Sequence, residues 1–122
     1  MNLNDYQKKA ISTAIYPKKY VIVYPTLGLV GEAGEVAEKI KKELRGDLYK
    51  NKDGIKFTKE EIHSIFLQFK YDTAKELGDV LWYVAALAND LGYTLSEIAE
   101  MNIEKLAARK ERGKLKGSGD DR

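Results

Sequence analysis

The sequence predicts an all-α fold, a compact bundle of about five helices, and three observations lead there. Apolar residues recur at helical spacing, most clearly in Leu77, Val80, Leu81, Val84, Leu87, Ala88 and Leu91. Two capping signatures, Thr58 with Glu61 and Thr94 with Glu97, stand in front of such stretches. Gly46, Gly92 and Gly113 follow them, where a helix needs a left-handed stop.

Taken in order, a first helix is expected over about residues 5–16, with Asn4 as N-cap, Gln7 three residues on and Pro17 ending it. The connector after it contains Val21-Ile22-Val23, a β-branched run that suits an extended segment. A second helix is expected to start after Thr26 and reach about Arg45, with Leu29, Ala33, Val36, Ile40 and Leu44 as its apolar stripe. Residues 46–57 break the pattern, and Asn51-Lys52-Asp53-Gly54 is a turn signal, so this segment reads as a loop or a small hairpin. A third helix opens at Thr58 and runs through Ile62, Ile65, Phe66 and Phe69. Asp72 is expected to cap a fourth, ending near Leu91, and the Thr94 box opens a fifth that reaches about Arg112. The resulting division is one helical domain at 1–113 and a flexible C-terminal tail at 114–122, where Gly117-Ser118-Gly119 interrupts any period.

Composition narrows the function classes. The 122 residues carry 21 basic and 19 acidic side chains, a balance that gives no ground for expecting nucleic acid as a partner. There is no cysteine, which excludes disulfides, thiolate metal sites and a thiol nucleophile. A cytoplasmic protein is expected, since the N-terminus lacks the basic-then-apolar layout of a signal peptide. No apolar run approaches the roughly 20 residues that span a bilayer, so no membrane partner is expected. A chain this short leaves much surface exposed, and a helix-mediated dimer would bury more of it.

The residues that carry chemistry are carboxylates. Glu32 and Glu35 lie three apart on the second helix, and Glu76 and Asp79 repeat the spacing on the fourth, so each pair projects from one side of its helix. At 100° per residue, Glu32 lies about 60° and Glu35 about 120° from the centre of the apolar stripe. Glu76 and Asp79 lie about 80° and about 140° from theirs, so one acid of each pair borders the buried seam. Four carboxylates brought together there would repel unless a cation sat among them, and hard oxygen donors suit Mg²⁺ or Mn²⁺. Spacing alone does not decide this: about three i,i+3 acidic pairs are expected by chance, and Lys39 and Lys42 follow Glu35 and Glu38 at i+4 as on an ordinary solvated face. Gly28, Gly31 and Gly34 in the second helix point to close approach of a ligand or of another helix, and Gly78 admits the same two readings. The one histidine, His63, lacks the spacing of a di-iron ligand.

The runs Gly28-Leu29-Val30-Gly31-Glu32-Ala33-Gly34-Glu35-Val36-Ala37-Glu38 and Lys75-Glu76-Leu77-Gly78-Asp79-Val80-Leu81-Trp82-Tyr83 resemble the MazG-like nucleoside triphosphate pyrophosphohydrolases of the all-α NTP pyrophosphohydrolase superfamily. The resemblance covers about residues 3–113 and extends to Asn102, Lys105-Leu106 and Arg109 on the fifth helix. It implies Mg²⁺-dependent hydrolysis of a nucleoside triphosphate to the monophosphate and pyrophosphate. It further implies Glu32, Glu35, Glu76 and Asp79 as metal ligands, with Glu32 or Glu35 also orienting the water, and a homodimer or homotetramer. Residues 36–75, between the two motifs, form a longer stretch than is usual in the family. Asn102, Lys105 and Arg109 share about a 60° sector continuing the Leu95/Ile98 stripe, a basic run suited to a triphosphate or to snorkelling side chains at a bundle end. Tyr83, one turn after Asp79, is a substrate contact by resemblance and a core aromatic by default; Trp82 carries no assignment. The competing readings are a dedicated dUTPase or phosphoribosyl-ATP pyrophosphohydrolase of the same superfamily, and a non-enzymatic helical interaction module.

Overall fold

The computed structural model describes residues 1–50, 54 and 56–120, and among these it holds four α-helices and no strand. They are α1 (Leu3–Ile11), α2 (Val23–Leu44), α3 (Lys59–Asp90) and α4 (Leu95–Glu111), with short 3₁₀ turns at Lys18–Tyr20 and Asp47–Tyr49. The class is all-α, as expected, but four helices replace five because α3 runs unbroken through Asp72. Asp72 does not cap: its carboxylate accepts from Gln68 Nε2 at 3.0 Å and pairs with Lys75 at 3.0 Å, on the outside of a continuous helix. No glycine or proline lies between Lys59 and Glu76 to stop it. The Thr58 capping box does open α3, with Thr58 Oγ1 accepting from Glu61 N and Glu61 Oε1 accepting from Thr58 N.

The first helix is shorter and earlier than expected. Its N-cap is Asn2, whose Oδ1 accepts from Asp5 N at 2.8 Å, while Asn4 Oδ1 instead accepts from Ser96 N at 3.1 Å. Val21-Ile22-Val23 is not a strand: Val23 already begins α2, and Ile22 precedes it at φ 71, an uncommon value for a β-branched residue. Pro25 fits inside the first turn of α2, where its missing N–H would have had no helical partner. Gly46 (φ 72) ends α2 in the left-handed conformation, and Asp47–Tyr49 is a 3₁₀ turn, so no hairpin forms among the described residues of 46–57. Asn51, Lys52, Asp53 and Ile55, on which most of that turn signal rests, lie outside the described residues. The Thr94 capping box and the Gly92 stop are as expected.

The chain divides into two compact units, Met1–Ile15 with Ala85–Arg122, and Tyr16–Val84. In the first, α1 packs on α4 around Ala10, Ala85, Ala86, Ala88 and Leu95, where small side chains let helices approach closely. Buried Gln7 ties the unit together: its Nε2 donates to Ala85 O (3.2 Å) and Tyr93 O (3.0 Å), and its Oε1 accepts from Leu95 N (3.1 Å). Of these groups, Leu95 N lies in the first turn of α4, where a helix leaves its amides without an internal partner, and Gln7 satisfies it. In the second unit Pro25 is the one fully buried residue among those described, and Leu27, Val30, Leu44 and Tyr71 are each more than 60% exposed. No helix of the described residues is long and apolar enough to cross a membrane.

Candidate metal centre

Within the second unit, α2 carries Glu32 and Glu35, and α3 carries Glu76 and Asp79. Glu32, Glu76 and Asp79 are brought together, each offering a carboxylate oxygen within 4.8 Å of the others. Glu32 and Glu76 are half-buried and Asp79 is exposed. Glu35 is exposed and stands outside this group, although its charge still acts on Glu32. Burial, followed by the charges of Asp79, Glu76 and Glu35, lifts the Glu32 carboxyl above its ordinary value of 4.5.

Lys39 relieves part of this repulsion. Its Nζ lies 3.4 Å from Glu76 Oε1, so it reaches across to α3 rather than along its own helix to Glu35. Glu38 turns the other way and pairs with Lys41 at 2.7 Å. The signal for Lys39 was present in the sequence, since it follows Glu32 by two helical turns and shares its face. The donor set itself is all oxygen, with no imidazole in the group, and suits a hard divalent cation.

Aromatic side chains surround Tyr83 on the same unit. A β-carbon at Gly28, one turn before Glu32, would overlap the Tyr83 ring, so the glycine is what lets the ring lie against α2. Gly31, Gly34 and Gly78 face open space, so close approach explains Gly28 alone among these four glycines. Burial first, then Tyr24, with which it shares a hydrogen bond, and the Glu32 and Asp79 carboxylates push the Tyr83 hydroxyl above its ordinary value. Tyr83 therefore belongs to the surroundings of the acids. Trp82 stands edge-on to Tyr83 at 4.9 Å and to Tyr16 at 6.5 Å, and Tyr16 stacks on Tyr24 at 5.0 Å. These contacts give Trp82 a packing partner on each side.

Asn102, Lys105 and Arg109 lie on α4, in the other unit. Asn102 is exposed and lines, with Ile98, Met101 and Lys105, a groove of about 350 Å³. Arg109 is only 5% exposed. Its Nη2 donates to Gly119 O, Asp120 O and Asp120 Oδ1, each at 3.1 Å, while its Nε is buried and has no partner among the described residues. Lys105 Nζ reaches the same Asp120 oxygen at 3.2 Å. His63 is exposed on α3 and has no place in the acidic group.

Comparison with known proteins bears on the same residues. The family model described as the MazG nucleotide pyrophosphohydrolase domain matches residues 25–113, a span containing every acid, amide and base named above as a site residue. The Gene 37 protein of Mycobacterium phage L5 is 45% identical over 128 aligned residues, covering the whole of both chains. No solved structure matches significantly.

Proposed function

Since the chain belongs to the MazG nucleotide pyrophosphohydrolase family, we propose that it hydrolyses nucleoside triphosphates between the α- and β-phosphates, with Mg²⁺ as its metal and Mn²⁺ as a substitute. The observation that carries this reading is the convergence of Glu32, Glu76 and Asp79 from two helices inside the matched region. A divalent cation held by these carboxylates supplies positive charge for the phosphates and makes water more acidic. Glu35, standing outside the group, is left to orient the attacking water and accept its proton. The water oxygen bonds to the α-phosphorus, the bond to the bridging oxygen breaks, and pyrophosphate leaves with that oxygen. Tyr83 borders the acids and contacts the nucleotide, while Asn102, Lys105 and Arg109 provide donors for the phosphates.

The working form in this reading is a cytoplasmic homodimer or homotetramer. Support comes from the second unit, which has little core of its own and leaves apolar residues of α2 and α3 uncovered. The reaction is tested by assaying pyrophosphate release from a panel of nucleoside triphosphates with Mg²⁺. Turnover of at least one of them is expected, together with a fall of roughly 10²–10⁴-fold in Glu35→Gln and loss of turnover at ordinary Mg²⁺ concentrations in Asp79→Asn, both folded by circular dichroism. No release from any nucleotide, or full activity in both variants, would remove the assignment.

A further inference from the structure

We infer that the C-terminal tail is a built-in competitor, its Asp120 carboxylate occupying on α4 the place of a phosphate group. Arg109 is the observation that starts the argument. A guanidinium that is 5% exposed needs an anion, and among the described residues the acid that meets it is Asp120. One carboxylate oxygen receives both cations, at 3.1 Å from Arg109 and 3.2 Å from Lys105, the way a phosphate oxygen is held by a basic pair. The fit is incomplete: Arg109 Nε is buried and makes no hydrogen bond among the described residues, a donor that a larger oxyanion with more oxygens can use. Beside the pair, the groove lined by Ile98, Met101, Asn102 and Lys105 leaves room for an extended anion.

The resident is easily displaced. The Asp120 side chain is 82% exposed, so water screens its pairing and competes for it. Hydrogen bonds from Lys105, then from Arg109, hold its carboxyl below the ordinary aspartate value, and it is therefore an anion at neutral pH. Positive φ at Gly113 (67), Gly117 (136) and Gly119 (86) marks the bends of the tail between the end of α4 and Asp120. A latch of this kind leaves the basic pair with one net positive charge, which a more highly charged ligand can meet in full.

The inference rests on the assignment of Lys105 and Arg109 to substrate phosphates, and its test does not use turnover. Inorganic tripolyphosphate is titrated calorimetrically into the full chain in EDTA, so that the carboxylate centre takes no part. Asp120→Asn is expected to bind it about three- to tenfold more tightly than the wild type, the factor by which a seated competitor lowers apparent affinity. Adding Lys105→Met to Asp120→Asn is expected to abolish that gain. Equal affinities in wild type and Asp120→Asn would overturn the latch, and so would a gain that survives Lys105→Met. An inactive protein with a competing tail, or an active one without it, would separate the failure of one reading from that of the other.

Discussion

Glu32 holds its proton more tightly in the folded protein than in the unfolded chain, because burial and three neighbouring acids oppose its charge. The stability that this group contributes is therefore present below its ordinary value of 4.5 and is lost as pH rises through the raised one. In EDTA, Glu32→Gln is expected to melt with the wild type below pH 4.5 and a few degrees above it at neutral pH. Saturating Mg²⁺ should reverse the order at neutral pH, since only the wild type retains the full donor set; thermal melts across pH check both halves. Acid spacing along one helix identified the candidates, because residues three apart share a side. That Glu32, Glu76 and Asp79 meet while Glu35 stands apart depends on how two helices are rotated against each other, which neither pattern contains. Lys39, which the i+4 spacing assigns to Glu35, pairs instead with Glu76 for the same reason, its partner lying on a different helix.

Among the elements, α2 makes the sharpest contrast. Gly28→Ala forces a methyl into the Tyr83 ring and is expected to cost about 1–3 kcal/mol, as overpacking does. Gly31→Ala and Gly34→Ala meet open space and are expected to gain up to about 1 kcal/mol from helix propensity. Denaturant melts of the three variants check the difference; a neutral Gly28→Ala would mean that Tyr83 does not lie there, and costly changes at 31 or 34 would place those faces against another chain. Helix positions were legible wherever a cap and a stop agreed, as at Thr58, Thr94, Gly46 and Gly92. They differ where a residue with capping chemistry finds another donor in the fold. Asp72 and Asn4 have the chemistry of caps, but each uses its oxygens elsewhere, one on the flank of α3 and one on Ser96.

At the scale of the molecule, apolar surface is the outstanding feature. Leu77 and Leu81, part of the strongest helical stripe in the sequence, are 54% and 39% exposed. Periodicity shows which residues seek cover and is silent on whether the same chain supplies it. Light scattering at micromolar concentration is expected to give a dimer or tetramer, and Leu27→Lys with Val30→Lys to shift it toward monomer; a monomeric wild type would contradict the proposed assembly. Gln7 has a consequence in time rather than space. Its partners at Ala85 and Leu95 follow it by 78 and 88 residues, so α1, a nine-residue helix too short to persist alone, is made first and anchored last. During synthesis the N-terminal segment must wait, open to proteases, until the start of α4 has left the ribosome.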